Sequence, residues 1–134
     1  MATDPNALIA RARECLERAY APYSRFRVAA AVADDQGRVF TGVNVENISY
    51  GLSVCAERVA IISAVEAGAR RITALAVTGS DADLLSPCGA CRQVLAEFAA
   101  PDVPVYCDAP GKSHCWTVSE LLPNGFAASR LDRG

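Results

Sequence analysis

The chain has 134 residues, 51% of them hydrophobic, with 13 basic against 15 acidic side chains and a net charge of −2. That length fits one domain over residues 1–134 with a core of its own, and the balanced charge excludes the dense basic face on which a nucleic-acid polymer docks. No run approaches the roughly 18 apolar residues that a membrane helix needs, and no basic start or hydrophobic signal core opens the chain, so a cytoplasmic location and reduced thiols are expected for its six cysteines.

In chain order, Asp4 and Pro5 read as an N-cap and first-turn proline, and Leu8, Ala12, Cys15, Leu16 and Ala19 recur at helical spacing. The first helix is expected to end near Tyr20 and to be closed by Pro22. Phe26 to Ala33 reads as a strand, Asp34 to Gly37 as a turn, and Val39 to Val45 as the returning strand of a hairpin. Residues 45–54 form a loop. A largely apolar helix then runs from Cys55 to its stop at Gly68. Ile72 to Thr78 alternates too little for a half-exposed strand and suits one covered on both faces. After a loop to Ser86 comes a helix with Val94, Leu95 and Phe98 as its buried stripe. Val103 to Cys107 is a short strand whose Pro104 fits an edge or a strand start. Thr117 and Glu120 form a capping box for a short helix halted at Pro123, and a further strand near Cys115–Thr117 fits the spacing. The order α-β-β-α-β-α-β describes a layered α/β domain on a mixed sheet.

Chemistry concentrates at two helix starts, Cys55-Ala56-Glu57-Arg58 and Pro87-Cys88-Gly89-Ala90-Cys91. Cys88 and Cys91, at i and i+3, share a helix face and can grip one metal ion. The helix N-terminus favours thiolate over thiol, and Cys55 supplies a third ligand by the same logic. Three thiolates are an incomplete set for tetrahedral zinc, and catalytic zinc sites keep the remaining position for water. Glu57 lies too near Cys55 in sequence to close that tetrahedron. It is placed instead to move protons to and from a water. Arg58 is the cation best placed to hydrogen-bond a thiolate sulfur and offset the anionic site. Cys15, Cys107 and Cys115 are expected to be buried or idle thiols, and His114 surface or strand filler.

These motifs, the second continuing through Arg92-Gln93-Val94, with Tyr20-Ala21-Pro22-Tyr23-Ser24-Arg25-Phe26, Asn44-Val45-Glu46-Asn47, Ser49-Tyr50-Gly51 and Leu121-Leu122-Pro123, make the chain resemble the small, zinc-dependent cytidine deaminases of the free-nucleoside type over Tyr20 to Phe126. The resemblance implies a three-layer α/β/α domain on a mixed five-stranded sheet, with one Zn2+ per subunit held by Cys55, Cys88 and Cys91. It implies that activated water attacks C4 of cytosine while Glu57 carries protons to N3 and then to the leaving amine. Phe26 would stack on the pyrimidine, Asn44 and Glu46 would hold the ribose hydroxyls, and the backbone around Ala56 and Ser86 would read the polar edge of the base. Tyr50 and Phe126 fall where members of a homotetramer complete a neighbouring subunit's site. The sequence departs from the family pattern at Ala29, where glycine is usual, and Val43, where cysteine is usual. Ala29 is expected to tighten packing near the base.

Three other functions compete with cytidine and 2′-deoxycytidine deamination. A blasticidin S deaminase, or another aminopyrimidine nucleoside deaminase, would share the zinc site, but the intact Asn44-Val45-Glu46-Asn47 favours a ribose. Cytidylate, guanine and tRNA-adenosine deaminases typically carry histidine where this chain has Cys55. A zinc-stabilised nucleoside-binding module without turnover would not need Glu57.

Overall fold

The computed structural model describes residues 3–81 and 83–127. Its elements are α1 (Pro5–Cys15), β1 (Val28–Asp34), β2 (Val39–Val43), α2 (Ala56–Glu66), β3 (Ile72–Gly79), α3 (Gly89–Phe98), β4 (Pro104–Ala109), β5 (Lys112–Thr117) and α4 (Val118–Leu121), with 3-10 turns at Leu16–Arg18 and Tyr50–Leu52. The sheet is five-stranded in the order β2-β1-β3-β4-β5. Only β3 and β4 run parallel; the other neighbours are antiparallel.

Most elements fall where the sequence places them, with shifts at their ends. The Asp4 carboxylate accepts the Asn6 N–H at 3.0 Å and caps α1. That helix gives way to the 3-10 turn after Cys15, short of the expected Tyr20. β1 begins two residues later than expected, which leaves Phe26 outside the sheet. Pro104 does start its strand, but β4 is interior and β5 is the edge. β5 extends back to Lys112, well beyond the expected short segment, and its outer residues are exposed. The Thr117–Glu120 capping box is present in both directions. Cys107 is buried, whereas Cys115 is an exposed thiol on the edge strand. His114 is also exposed and packs its ring against Trp116, with centroids 4.1 Å apart. Leu131 lies outside the described residues.

Side chains of β1 and β3 alternate between two cores, as a pleated strand requires. Ala29, Ala31, Ala33, Ala74 and Ala76 face α1, packing against Leu8, Ala12 and Cys15. Five alanines on this sheet face let that helix lie close. On the other face Ala30, Val32, Leu75 and Val77 meet Ala60, Ile61 and Ala64 of α2 and Leu95 of α3. The result is three layers, α/β/α. The two departures from the family pattern are partners in this lattice, because Ala29 pairs with Val43 across the β1–β2 ladder. Both pack on the α1 side. The Ala29 methyl therefore fills the α1 interface.

Gly42 explains how α2 comes to rest on the hairpin. A Cβ there would collide with the Ala60 backbone nitrogen and, at 2.5 Å, with the Ala56 carbonyl. Only glycine allows the first turn of α2 to sit directly on β2. That contact fixes the N-terminus of α2, where the first motif lies.

Two buried carboxylates brace the fold, Asp108 across distant segments and Asp34 within the β1–β2 turn. Asp108 receives Arg13 Nε at 2.9 Å and its terminal nitrogen at 2.6 Å, and Thr78 Oγ1 at 3.0 Å, joining α1, β3 and β4. Asp34, 1% exposed, accepts the Gln36 N–H, the Arg38 N–H and Arg38 Nε at 3.0, 2.8 and 2.7 Å. Burial pushes the Asp34 carboxyl up, but the Arg38 and Gln36 donors outweigh it and hold it below the usual carboxylate range. A carboxylate with a depressed folded pKa binds fewer protons folded than unfolded. Its stabilisation is complete above the unfolded value of about 3.9 and disappears as the pH falls through the folded value. Asp34→Ala is thus expected to lower the urea midpoint at neutral pH and to make stability fall less steeply on acidification below about pH 4. Urea titrations across that range would show parallel curves for wild type and variant if Asp34 carried no such linkage.

Candidate functional site

Antiparallel pairing of Ala29 with Val43 and of Val28 with Gly79 brings the start of β1 and the ends of β2 and β3 to one edge of the sheet. The carboxyl ends of strands are where open α/β sheets place their ligands. From this edge the chain enters α2 after a loop from β2, and α3 after a loop from β3. Both motifs therefore converge on one end of the molecule.

Cys55 is the N-cap of α2 and Cys88 the N-cap of α3, each extended in backbone and without a side-chain capping bond. Cys91 sits one turn into α3, 1% exposed. The Cys55 and Cys88 sulfurs are 3.8 Å apart, the Cys88 and Cys91 sulfurs 3.4 Å, and all three lie within 4.8 Å of one another. Zinc–sulfur bonds in a tetrahedron set sulfurs about 3.8 Å apart, so this spacing suits one zinc ion. Among the described residues no fourth histidine, cysteine or carboxylate joins the cluster. Three sulfurs and an open corner are the donor set of a catalytic zinc, not of a closed structural one.

The surrounding charges favour a cation. The hydrogen bond from Cys91 drives the Cys55 thiol well below its ordinary value, against burial, with help from Arg58 and Cys88. Cys91 moves the opposite way, through its bond to Cys55, burial, and the Glu57 charge. The Arg58 guanidinium donates to the Cys55 sulfur at 3.6 Å, which raises its own pKa further. Two helix N-termini add partial positive charge at the same point. Arg58→Gln is expected to weaken zinc retention against a chelator, or kcat/KM, by about 10- to 100-fold. An unchanged value of both would show that the Cys55 thiolate needs no cation from the protein.

Glu57 is 5% exposed in the first turn of α2. Burial pushes its carboxyl up to about 7, and the nearby Cys55 charge pushes the same way, against Arg58 and its own N–H. A carboxyl poised near neutrality can both take and give a proton. Cys107, on β4 beneath this region, is pushed up to about 12, mainly by burial, and is an inert thiol.

Of the remaining expected residues, Phe26, Asn44, Glu46 and Tyr50 are linked around the segment ahead of β1, and Phe126 lies apart. Phe26 lies just ahead of β1, with its ring against the end of β3. A Cβ on Gly79 would come within 3.3 Å of that ring and 3.0 Å of Leu85. Asn44 holds the backbone around Phe26: its Nδ2 donates to the Phe26 carbonyl at 2.8 Å and its Oδ1 accepts the Val28 N–H at 2.9 Å. Glu46 accepts the Tyr23 and Ser24 N–H groups at 2.9 and 3.1 Å. With Tyr23, Ser24, Tyr50 and Ser53 it lines a surface hollow of about 350 Å³. Ala56 is buried in the first turn of α2, and Ser86 is exposed just before Pro87. Tyr50, 72% exposed, sets its ring edge-on to Tyr23 at 6.2 Å. Phe126 is not part of this hollow. It lines another, against Ala96, Ala99, Pro101 and Val118.

Three further side chains shape the site. Arg92 donates to the Pro87 carbonyl at 2.6 Å, the Leu121 carbonyl at 2.8 Å and the Ser86 hydroxyl at 2.9 Å, so one guanidinium clasps the approach to Cys88 onto the end of α4. Gln93 Nε2 donates to the Phe126 carbonyl at 2.9 Å and anchors the following segment. Ser24 bonds both Glu46 and the Phe26 N–H. Arg92 and Gln93 stand directly after the Cys88–Cys91 pair, but the Leu121 and Phe126 carbonyls they reach lie 29 and 33 residues away, beyond any local pattern.

Residues 2–107 match the family model of the cytidine and deoxycytidylate deaminase zinc-binding region. A cytidine deaminase of Halalkalibacterium halodurans is 45% identical over 130 residues, covering 96% of this chain and 98% of that protein. That of Sporosarcina psychrophila is 43% identical over 129 residues, covering 96% and 95%. The crystal structure of the cytidine deaminase from Burkholderia pseudomallei superposes with a TM-score of 0.88 at 45% identity, covering 92% of this chain and 100% of that one. With the sulfur cluster at paired helix starts and near full-length similarity, the chain belongs to the cytidine and deoxycytidylate deaminase family.

Proposed function

We propose that this protein is a zinc-dependent hydrolase converting cytidine and 2′-deoxycytidine to uridine and 2′-deoxyuridine with release of ammonia. The observation that carries this reading is the three-sulfur cluster with Glu57 buried beside it. The whole chain serves as one catalytic domain, with one zinc ion per subunit. Zinc held by Cys55, Cys88 and Cys91 would act as a Lewis acid and make a water nucleophilic near neutral pH.

The chain's own groups do the rest. Glu57 takes one proton of the water whose oxygen adds to C4 and delivers it to N3; it then passes the remaining proton of the new C4 hydroxyl to the amine as the C4–N bond breaks, so water is consumed and ammonia released. Its burial keeps the carboxyl near neutrality and away from competing bulk water. The Phe26 ring offers a flat apolar face to the pyrimidine. Asn44 and Glu46 hold the sugar hydroxyls, and the backbone at Ala56 and Ser86 meets the polar edge of the base. A site of such groups disfavours a ligand that lacks the hydroxyls, because partners desolvated by the bound sugar would be left unpaired.

The assembly is a homotetramer in which Tyr50 and Phe126 of one subunit complete the site of a neighbour. Supporting this, Tyr50 and Phe126 are 72% and 58% exposed, and Ile48, Leu52 and Ile62 are exposed as well. So much apolar surface calls for a covering partner. The free cysteines fit a reducing cytoplasm, where the reaction serves pyrimidine salvage. Among the described residues no helix is long and apolar enough to cross a membrane.

An ammonia-release screen over cytidine, 2′-deoxycytidine, cytosine and blasticidin S, run with metal analysis and sedimentation, tests the reading. Turnover of the two nucleosides by a zinc-containing tetramer is expected. Turnover of blasticidin S alone would replace cytidine as substrate, and nucleoside binding without ammonia would make the protein a binding module.

A further inference from the structure

The Ser24 hydroxyl stands between the two halves of the nucleoside pocket. Its O–H donates to Glu46 Oε2, and its oxygen accepts the Phe26 N–H at 3.0 Å. The residue between them, Arg25, sits in the left-handed region with φ at 59°. For an L-residue that conformation needs surrounding bonds to hold it. Those bonds come from Glu46, which receives the Tyr23 and Ser24 N–H groups, and from Asn44, which holds the Phe26 carbonyl. The Phe26 peptide is thus gripped on its N–H side through Ser24 and on its carbonyl side by Asn44.

We propose that Ser24 is a positioning residue whose hydroxyl locks the Glu46 carboxylate and the Phe26 backbone into one hydrogen-bonded unit, so that sugar recognition and base stacking are set together. The inference rests on the reading of Glu46 and Phe26 as nucleoside-binding groups. A serine hydroxyl has a single proton, which here goes to Glu46, so Ser24 acts through its neighbours and not as a donor to substrate. A carboxylate has about four acceptor sites. The Tyr23 N–H, the Ser24 N–H and the Ser24 hydroxyl use three of them. Glu46 is thereby oriented with one acceptor left for a sugar O–H. The same donors, Ser24 foremost, hold its carboxyl below the usual range and keep it ionised to accept. None of this touches the cysteine cluster or Glu57, which are carried by α2 and α3. Loss of the hydroxyl should therefore weaken substrate and transition state alike and appear in KM, not kcat.

The test compares wild type with Ser24→Ala, Ser24→Thr, Glu46→Gln and the double variant Ser24→Ala/Glu46→Gln, by cytidine kinetics and by equilibrium binding of the product uridine. Ser24→Ala is expected to raise both KM and the uridine dissociation constant about tenfold, with kcat changed less than about threefold. Zinc content and thermal midpoint should stay at wild type, since Ser24 is exposed. Ser24→Thr keeps the hydroxyl and should recover most of the loss. In the Glu46→Gln background the alanine should add less than about threefold, because the pair acts as a unit. Wild-type constants for Ser24→Ala, a threonine as impaired as the alanine, or full multiplication on Glu46→Gln would each overturn the proposal. Wild-type protein that released no ammonia from cytidine would strike the functional reading itself and this inference with it. Normal wild-type turnover with an unaffected Ser24→Ala strikes only the role of Ser24.

Discussion

Glu57→Gln is expected to lower kcat for cytidine by about 10²- to 10⁴-fold, the range typical of losing a proton-transferring group. Zinc content, fold and uridine binding should remain. Glutamine matches the shape of glutamate but neither takes nor gives the proton. Replacing it isolates the chemistry from the architecture, because Glu57 lies outside the sulfur cluster. The position gives no reason for the variant to unfold. Glu57 is 5% exposed, and its burial raises the pKa to about 7, a sign that the ionised form is poorly accommodated there. A neutral amide of the same volume removes that burden. Single-turnover deamination with metal analysis on the same sample is the deciding measurement. Turnover within a few-fold of wild type would remove Glu57 from the mechanism and leave the proton path to another group.

Removing the metal is the other large effect. Chelation of zinc, or Cys91→Ala, is expected to abolish turnover and to lower stability together. Cys91 is 1% exposed and lies 3.4 Å from the Cys88 sulfur, so its loss leaves two ligands on separate helix starts and a cavity between them. A ligand that binds only the folded state stabilises it by about 4 kcal/mol when its free concentration is roughly 1,000 times its dissociation constant. Chelated wild type and Cys91→Ala should therefore both melt earlier, and added zinc should rescue only the wild type. Activity that survived exhaustive chelation would separate the reaction from the metal. Unchanged melting with lost activity would show that the α2 and α3 N-termini are held by packing alone. The Gly42 contact with Ala56 and Ala60 offers such packing on the α2 side.

Much of the site was legible because its chemistry is local. Cys55, Glu57 and Arg58 fall within one helical turn, as do Cys88 and Cys91, so spacing alone puts them on helix starts that can share a metal. The Asp4 cap and the Thr117–Glu120 box span two and three residues and were read correctly for the same reason. The near-continuous apolar run of β3, which alternates too little for a half-exposed strand, is also legible as a strand buried on both faces. Strand ends were less legible. β1 begins at Val28 because Asn44 occupies the Phe26 carbonyl and the Val28 N–H, a decision taken 16 to 18 residues away. That Ala29 faces α1 was illegible for a related reason, since the face to which a strand residue points depends on register with its neighbours.

From residue types and short spacings alone came the layered α/β class, the two cysteine-bearing helix starts and the adjacent Glu57, because each depends on groups within a few positions of one another. Folding decided which strand lies beside which, that one alanine-lined face receives α1, and that Arg13 meets Asp108 across 95 residues. It also brought Ser24 to Glu46 and Arg92 to Leu121. Such pairings come from chain segments that meet only once the sheet has assembled, so no window of sequence contains both partners.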